Sequence, residues 1–379
     1  RPGGILLSGA PGMGKTTLAR EATLQAQGRG WRVVRADAGT TGRAYGLTRP
    51  LVERLVLQDR ASLDRIGEPA RSVLARITPL AEPARRMPGP LARHQVVGAV
   101  RRLLLAAHGG EPLLLWVDDA HQVQESDAEV LMQLAMAGAP LCVLMTMRPL
   151  PEASPLAPGV ERLLRAGVLQ RIDVEPLDDA ALHRLVAQTA TPGLSPALID
   201  EVVRSARGHP FMAVELARSA ATGSAGKLAA GTAQAITARL HEAAPGVWPL
   251  MRWLALADDP CDVGTVEVLC TLAQVPGFAT LDAAMQGGWL VVTDGQYRFP
   301  HALVRQAVAG QIAPHERAAM HRRIAAALID SDGVAARIAA HWQAGGLPRK
   351  ALPFWLAAAR EAMRLAAFGD ALRHLDAVL

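Results

Sequence analysis

The feature that most constrains the fold of this chain is a glycine-rich segment near its start. The segment reads GAPGMGKT and matches the pattern G-x-x-x-x-G-K-[ST]. It lies between a short apolar run, residues 4–8, and a stretch with helical periodicity, residues 15–27. Glycines in such a loop let successive backbone N–H groups point inward around an anion, and the following helix adds its positive N-terminal end. The order strand, loop, helix therefore predicts a phosphate-binding site.

The side chains of this loop predict a nucleoside triphosphate as the ligand, namely ATP with magnesium. Lys15 can neutralise the β- and γ-phosphates, and the Thr16 hydroxyl can bind magnesium. The other nucleotide-binding candidates are loop residues and the threonine that follows them: Gly9, Ala10, Pro11, Gly12, Met13, Gly14 and Thr17. A glycine-rich turn can match this pattern by chance. The strand before it and the helix after it favour the nucleotide interpretation.

The second motif is an apolar run that ends in two acids, LLLWVDD at residues 113–119. Such a strand delivers its last side chains to the C-terminal edge of a parallel sheet, where ligands bind in open α/β folds. Asp118 is predicted to hold magnesium, directly or through water, and Asp119 to orient or deprotonate the attacking water. The alternative is a strand followed by an acidic helix cap. The phosphate-binding loop upstream favours the catalytic interpretation.

Arg148 is the third candidate for chemistry. It follows the apolar run LCVLMTM at residues 141–147 and is expected at the C-terminal edge of the same sheet. A guanidinium there can reach a γ-phosphate, which would give Arg148 a catalytic role beside Lys15 and Asp119. The alternative is a solvated arginine before the turn-forming Pro149.

The alternation of strands and helices up to about residue 175 predicts a parallel sheet with helices on both faces. Helices then dominate, at residues 179–190 and 196–220, and Gly208-His209-Pro210 interrupts the second of these stretches. The small-residue stretch 221–231, ATGSAGKLAAG, is typical of a flexible connection between domains.

The second half of the chain is predicted to be mainly helical, with one hairpin. Helices are expected near residues 232–257, 263–273 and 279–287. Asp294 and Gly295 between apolar residues predict a β-hairpin, so three helices followed by a hairpin form a winged-helix pattern. The chain from residue 314 onward is again helical, and residues 351–379 fit the start of a tetratricopeptide array.

Composition excludes some functions and leaves others open. The net charge of +5 and the pI of about 9.6 could indicate a nucleic-acid partner, but arginine is spread along the whole chain. The 3 cysteines form no CxxC pair, which argues against a zinc site or a disulfide framework and favours a reducing compartment, the cytoplasm.

No apolar run reaches the roughly 20 residues that span a bilayer, so no membrane partner is expected. The start at Arg1, directly before a strand, suggests a fragment of a longer protein.

The order of motifs along the chain resembles a known family. These motifs are the phosphate-binding loop, the run Asp118-Asp119-Ala120-His121, Arg148, the segment Gly208-His209-Pro210, and YRFPHALVR at residues 297–305. The arrangement resembles the STAND class of signal-transduction ATPases, which is related to AAA+ proteins. In particular, it is similar to the ATPase module of large LuxR-type bacterial transcriptional regulators. The resemblance covers essentially the whole chain; Gln122 departs from it, because family members often have Trp there.

The resemblance implies an α/β P-loop NTPase domain, a parallel sheet with helices on both faces, followed by a helical lid, a winged-helix domain and an α-helical TPR-like segment. The boundaries that follow are 1–175 for the nucleotide-binding domain, 176–222 for the lid, 232–313 for the winged helix, and 314–379 for the start of a truncated sensor arm. By the same resemblance, Pro210 lines the adenine pocket, and His301 contacts the nucleotide phosphates in a closed, ADP-bound state.

A protein of this kind is a slowly hydrolysing switch. The resemblance implies that ADP holds the domains closed, whereas an unknown inducer or protein on the C-terminal arm favours exchange for ATP and self-association. Contact with DNA is expected only through a domain outside this chain. Related modules are fused to nucleotide cyclases and protein kinases, so the sequence does not decide which kind of output domain this module regulates.

Three other readings use the same phosphate-binding loop. A mechanical AAA+ remodeller needs an arginine finger and a second sensor arginine in the lid, where this chain has Gly208-His209-Pro210. An ABC-type transporter ATPase needs an LSGGQ-like signature, which the sequence lacks. A scaffold that binds nucleotide without hydrolysis does not need the carboxylate of Asp119. An ATP turnover assay would distinguish such a scaffold from a hydrolysing switch.

Overall fold

Five parallel strands form the sheet that organises the first part of the chain. The computed structural model describes residues 3–39, 42–81, 91–151, 154–189, 194–221, 232–243, 246–257, 260–293, 295–331 and 333–378. The strands are β1 (Gly4–Ser8), β2 (Arg32–Asp37), β3 (Leu113–Asp118), β4 (Leu141–Met147) and β5 (Leu169–Asp173). Their order in the sheet is β2-β3-β4-β1-β5, so β1 lies between β4 and β5. This is the predicted parallel sheet with flanking helices.

The helices flank the sheet and continue beyond it. In the first part they are α1 (Lys15–Gly28), α2 (Thr48–Gln58), α3 (Ser62–Arg65), α4 (Glu68–Leu74), α5 (Arg93–His108), α6 (Glu125–Met136) and α7 (Ala157–Arg165), with a 3-10 helix at Ala120–Gln122. Three more helices follow: α8 (Asp179–Thr189), α9 (Pro196–Ala206) and α10 (Pro210–Ala221).

The C-terminal part contains nine helices and a hairpin within the described residues. The helices are α11 (Thr232–Ala243), α12 (Trp248–Leu256), α13 (Val263–Ala273), α14 (Gly277–Gln286), α15 (Ala302–Gly310), α16 (Pro314–Asp330), α17 (Ala335–Ala344), α18 (Pro348–Arg364) and α19 (Phe368–Asp376). The hairpin consists of β6 (Val291–Thr293) and β7 (Gln296–Arg298), which pair antiparallel as the sequence predicts.

Helices cover the sheet on both faces. On one face, Ala19 of α1 packs in a cluster with Leu114, Trp116 and Leu144. On the other face, the larger core joins alternate residues of the same strands, such as Leu115, to helices α2, α5, α6 and α7. All six residues of β3 are buried, because a parallel strand with helices on both sides has no solvent face.

Two helical stretches predicted from the sequence each form two helices, and the second division corrects the sequence-based boundaries. The stretch at residues 196–220 breaks between α9 and α10, at the predicted interruption Gly208-His209-Pro210, where Arg207 and Gly208 have φ angles of 47° and 81°. This left-handed backbone ends a helix and favours glycine. The helix predicted at residues 232–257 is interrupted between α11 and α12, and residues 244 and 245 lie outside the described residues.

Two further predictions fall wholly or partly outside the described residues. These are the flexible connection at residues 221–231, of which only Ala221 is described as the end of α10, and Asp294 of the hairpin turn.

The three cysteines are free. No single helix in the described ranges has the length and apolar character to cross a membrane; α13 and α14 meet that test only jointly, bent by 105°.

The end of the chain packs against the part that contains the five-stranded sheet. Helices α16 and α17 and the start of α18 share a core with α11–α15. The end of α18, the short connection after it and the start of α19, however, bury five residues in the core around the five-stranded sheet: Ala362, Leu365, Ala366, Ala367 and Ala371. The sequence-based division of the chain does not predict this contact between residues 362–371 and the N-terminal domain.

Candidate active site

The predicted phosphate-binding loop connects the end of β1 to the start of α1. Gly12 and Gly14 have φ angles of 83° and 85°, in the left-handed region that glycine adopts without strain. Gly14 is the residue immediately before α1, so the first helical turn, with its unpaired N–H groups, follows the loop directly. Of the remaining candidates, Met13 is buried and Thr17 is exposed on α1. These left-handed glycines and the helix that follows are features shared by loops that bind phosphate.

Lys15 closes this loop. Its Nζ donates hydrogen bonds to the carbonyls of Gly9 and Ala10 at 2.9 and 2.8 Å, and the residue is 7% exposed. Burial lowers the pKa of the ammonium, the charge of Asp119 raises it, and the charge of Arg148 lowers it. A phosphate in the loop would be a stronger partner for this ammonium than two neutral carbonyls.

Asp118, the last residue of β3, is held by side chains from three neighbouring elements. Its Oδ1 accepts hydrogen bonds from Thr16 Oγ1 at 3.1 Å and from Thr146 Oγ1 at 2.5 Å. Its Oδ2 accepts a hydrogen bond from Arg35 Nη2 at 3.1 Å. Burial raises the pKa of this carboxyl group, and the hydrogen bond from Thr146 opposes that effect. The structure thus brings the two predicted magnesium ligands, Thr16 and Asp118, into direct contact.

Asp119 combines a fixed backbone with an accessible carboxylate. Its φ angle is 52°, a left-handed value that is uncommon outside glycine, and its N–H donates to Thr146 Oγ1 at 3.0 Å. Its side chain is 34% exposed, and Oδ1 lies 3.8 Å from His121 Nδ1. Burial, Arg148 and Lys15 lower the pKa of His121 to about 4, so this imidazole is neutral at pH 7. The carboxylate can therefore meet a water molecule at the edge of the sheet.

Arg148 follows β4 directly and lies at the same edge. The residue is half-buried, and its charge lowers the pKa values of Lys15, His121 and His301. A positive charge lowers the pKa of another basic group appreciably only when the two groups lie close together in a partly buried site. Arg148 therefore adds a second cation beside Lys15, where a nucleotide phosphate would be bound.

The start of α10 contacts the phosphate-binding loop. Pro210 is the first residue of this helix, and the N–H of Phe211 donates to the carbonyl of Gly12 at 3.3 Å. Gly208 holds the turn before the helix: its carbonyl accepts from Leu177 N at 2.9 Å, and its φ is 81°. The sequence motif Gly208-His209-Pro210 thus turns the chain so that the next residue reaches the loop.

His301 lies against the same loop from the C-terminal part of the chain. Its Nδ1 accepts from Leu303 N at 3.0 Å, which caps α15, and its ring stacks on Phe211 with centroids 4.1 Å apart. Burial, Lys15 and Arg148 lower the pKa of His301 to about 4. A Cβ at Gly12 would lie 3.3 Å from Leu303 Cδ1 and 3.6 Å from His301 Cε1. Three distant segments therefore meet at Gly12.

Three residues of this site are not among the sequence-based candidates. Thr146 is the one hydroxyl in the run LCVLMTM, and a polar residue in an otherwise apolar buried strand is a usable signal. Phe211 directly follows the motif that ends in Pro210. Arg35 follows the alternation of β2, on the same face as Asp37, but nothing in the sequence indicates that its partner is Asp118.

Two cavities in the described residues lie away from the loop. One of about 610 Å³ and one of about 280 Å³ are both lined by Arg32, Asp59 and His108. Arg32 begins β2, whereas Asp37 ends it, so these cavities lie at the opposite edge of the sheet from the loop. Ligands of open α/β sheets bind at the C-terminal edge, which is where the candidate site lies.

Comparisons with known proteins agree with this geometry. Residues 1–144 match the AAA ATPase domain family. A crystal structure of a Signal Transduction ATPase with Numerous Domains (STAND) protein with a tetratricopeptide repeat sensor, from Pyrococcus horikoshii, is similar with a TM-score of 0.56 and 17% identity. The match covers 98% of this chain and 50% of that one, so the chain spans half the length of that protein. No curated protein matches the chain.

Two other solved structures are less similar. A Walker-type ATPase of Pyrococcus abyssi matches with a TM-score of 0.36 and 17% identity, over 81% of this chain and 91% of that one. The ORC2 protein of Aeropyrum pernix matches with a TM-score of 0.38 and 13% identity, over 82% and 88%. The family match covers the phosphate-binding loop and both acids at the end of β3, so residues 1–144 are similar to an AAA ATPase domain.

Proposed function

We propose that this chain is a molecular switch, a slowly hydrolysing ATPase that belongs to a signal-transduction or transcriptional regulator. In the ADP-bound form the lid and the C-terminal helices are closed over the nucleotide, and in the ATP-bound form they open and the chain self-associates. The observation that carries this proposal is the meeting of Phe211 and His301 at Gly12 of the loop. A ligand that binds all three segments holds them together, and a ligand that favours another arrangement releases them.

Magnesium is the metal that the site fits. The Thr16 hydroxyl and the Asp118 carboxylate, 3.1 Å apart, are hard oxygen donors of the kind that Mg²⁺ uses together with waters and substrate phosphates. The part of the chain that the structure describes holds no group of three or more His, Cys, Asp or Glu side chains that could enclose a metal alone. Bound between Thr16 and Asp118, magnesium would neutralise charge on the β- and γ-phosphates.

The chain's own residues would divide the chemistry as follows. Lys15 exchanges its two loop carbonyls for the β- and γ-phosphates and neutralises them. Asp119 orients the attacking water and accepts its proton, since its carboxylate is accessible while Thr146 fixes its backbone. Arg148 stabilises the negative charge on the transferred group.

The switch depends on contacts outside the sheet. Pro210 begins the helix that reaches the loop, which supports its proposed place against the adenine. His301 is proposed to donate a hydrogen bond to a nucleotide phosphate and so to tie α15 to ADP. An inducer or partner protein is proposed to bind residues 314–379, and DNA would be bound only through a domain outside this chain. A fused cyclase or kinase domain would be regulated by the same module.

The test combines hydrolysis, nucleotide state and mass. Light scattering should show a monomer with ADP and a larger assembly with ATP in the Asp119→Asn variant, which should bind ATP without cleaving it. Wild type should return to the monomer as ATP is consumed. A mass that does not change with the nucleotide would exclude the switch, and a stable ring in every nucleotide state would favour a remodelling ATPase.

A further inference from the structure

Four charged side chains of alternating sign lead from the hairpin to Asp118. Arg298 Nη1 donates to Asp37 Oδ1 at 3.0 Å, and Arg35 Nη2 donates to the same oxygen at 2.8 Å. The same Arg35 nitrogen also donates to Asp118 Oδ2 at 3.1 Å. Arg298 lies in β7, 261 residues from Asp37. This series, which we call the charge chain, links the C-terminal hairpin to the candidate magnesium carboxylate.

The sheet geometry explains how Arg35 reaches both carboxylates. Arg35 and Asp37 are two residues apart on β2 and therefore project from the same face. Asp37 pairs with Asp118 in the register of β2 and β3, and Arg35 pairs with Trp116. The guanidinium carbon of Arg35 lies 4.3 Å from the centre of the Trp116 ring. Trp116 thus supports the guanidinium between two strand ends that each carry a carboxylate.

The charge chain is largely shielded from water. The side chains of Arg35, Asp37, Asp118 and Arg298 are 22%, 14%, 4% and 18% exposed. Charges in such a setting interact more strongly than exposed surface pairs. Two carboxylates at adjacent strand ends repel each other, and one guanidinium cannot balance both. Arg298 supplies the second positive charge.

A metal at Asp118 would disturb this balance. Both oxygens of Asp118 already accept hydrogen bonds, Oδ1 from two threonines and Oδ2 from Arg35. A dication at this carboxylate would repel Arg35 toward Asp37. At Asp37, however, Arg35 shares a single oxygen with Arg298, so a stronger contact of one guanidinium weakens the contact of the other.

We infer that Arg35 is a positioning residue that competes with magnesium for Asp118. Through the charge chain, magnesium binding at Asp118 and docking of the hairpin at Asp37 oppose each other. The inference rests on the magnesium role proposed above for Asp118 and adds a route by which the C-terminal part of the chain senses that metal. Because coupling between two sites is reciprocal, the hairpin weakens magnesium binding by the same factor as magnesium weakens the docking of the hairpin.

The experiment titrates magnesium against a fixed concentration of a fluorescent ADP analogue and follows binding by anisotropy. Arg35→Gln removes the charge but keeps a hydrogen-bonding side chain, and should lower the magnesium midpoint roughly three- to tenfold. Arg298→Gln should lower it less. Asp37→Asn should raise it, because Arg35 then has Asp118 as its remaining charged partner in the charge chain. Arg35→Lys keeps the charge and should stay close to wild type.

Arg171→Gln is the matched control. Arg171 forms an ion pair with Asp173, also two residues further along its strand, but on the edge strand β5 with its side chain 48% exposed. Its removal should leave the magnesium midpoint unchanged. The double variant Arg35→Gln with Arg298→Gln should behave as Arg35→Gln alone, since the effect of Arg298 passes through Arg35.

A second readout follows the hairpin itself. Hydrogen exchange of β6 and β7 in the ADP complex should become faster when magnesium is added to wild type. In Arg35→Gln the exchange rate should not respond to magnesium, because the connection to Asp118 is broken. A response equal to that of wild type would overturn the inference.

Asp118→Asn separates this inference from the proposed function. It should raise the magnesium midpoint, and an unchanged midpoint would overturn the magnesium assignment and the proposed function with it. A raised midpoint in Asp118→Asn with an unchanged one in Arg35→Gln would overturn only the inference, as would additive effects in the double variant. Should Arg35→Gln fail to fold, Arg298→Gln and Asp37→Asn still decide: shifts of the same sign would refute the charge chain.

Discussion

The ring of His301 stacks on the ring of Phe211, with centroids 4.1 Å apart and an angle of 22° between the planes. The two residues begin different helical segments, His301 as the cap of α15 and Phe211 as the second residue of α10. Both lie against Gly12 of the phosphate-binding loop. A change in the position of the loop would therefore alter the contacts of both α10 and α15 at Gly12.

The first prediction concerns nucleotide discrimination by His301. If its ring donates to a phosphate only in the closed form, His301→Ala should weaken ADP binding more than ATP binding. A hydrogen bond of this kind contributes about 0.5–3 kcal/mol, which shifts a two-state switch several-fold or more. Calorimetry measures the affinity of wild type and variant for both nucleotides. Light scattering measures the assembled fraction, which should be higher in His301→Ala than in wild type.

His301→Asn is the comparison variant, because asparagine caps a helix well but lacks the stacking ring. It should preserve α15 and still lose the preference for ADP. Equal losses of ADP and ATP affinity in both variants would reduce His301 to a packing residue.

The second prediction is a pH dependence of stability. The pKa of His301 is lowered to about 4 in the folded protein, against about 6.5 in an unfolded chain. The unfolded state therefore binds more protons between these values, so stability is lost as the pH falls from 6.5 to 4 and is retained above 6.5. His301→Asn should reduce the slope of unfolding free energy by up to about 1.4 kcal/mol per pH unit in this range.

Urea unfolding between pH 4 and 7, without nucleotide, measures this slope for wild type and variant. His121, whose pKa is also lowered to about 4, leaves a residual slope in both proteins. Identical slopes in the two proteins would show that His301 does not resist protonation.

The third prediction tests the phosphate-binding loop. Lys15→Ala should reduce ATP affinity roughly 100-fold or more, because a largely buried cation is lost from the β- and γ-phosphates. The fold should persist, since Lys15 bonds only to loop carbonyls among its hydrogen-bond partners in the described structure. Lys350→Ala is the control, as Lys350 lies over Trp342 in the C-terminal part. Unchanged ATP affinity by calorimetry in Lys15→Ala would contradict the assignment of the loop.

The fourth prediction separates the roles of Asp118, which ends β3, and Asp119, which follows it. Asp119→Asn should keep magnesium-dependent nucleotide binding and slow hydrolysis by about 10²–10⁴-fold; asparagine also tolerates the left-handed backbone there. Asp118→Asn should weaken magnesium-dependent binding itself, because it removes a metal ligand. Asp173→Asn, at the end of the edge strand β5, is the control. Normal turnover in Asp119→Asn would exclude Asp119 as the catalytic base.

Sequence patterns could predict the sheet and the ends of its strands, because each depends on neighbours along the chain. The loop between β1 and α1 and the acids at the end of β3 are examples of such local patterns. The contacts of Arg35 with Asp118, and of Arg298 with Asp37, could not be predicted in this way. They depend on how strands and domains pack, across 83 and 261 residues of sequence. The roles of Lys15 and Asp119 stay predictions that the experiments above test.

The docking of the chain's end onto the sheet domain has the same non-local character. Asp370 of α19 is fully buried; its Oδ1 accepts from Glu125 N at 3.1 Å, and its Oδ2 accepts from Ser126 Oγ at 2.5 Å. Arg373 donates to the same carboxylate at 2.6 Å. Glu125 begins α6, where the positive end of the helix favours a carboxylate. This contact holds α19 against the start of α6, the helix that follows Asp119 and the short 3-10 helix.

The last prediction follows from that contact. Asp370→Ala leaves the N–H of Glu125 and the hydroxyl of Ser126 without their acceptor, which should cost about 2–4 kcal/mol. Because the loss is local to the docked helix, hydrogen exchange at the start of α6 should become at least about tenfold faster, while exchange in β3 stays slow. Asp376→Ala, on an exposed position of α19, is the control and should change neither. Uniform acceleration throughout the sheet would instead show that Asp370 stabilises the whole domain, and no acceleration at α6 would show that α19 is held by its apolar residues alone.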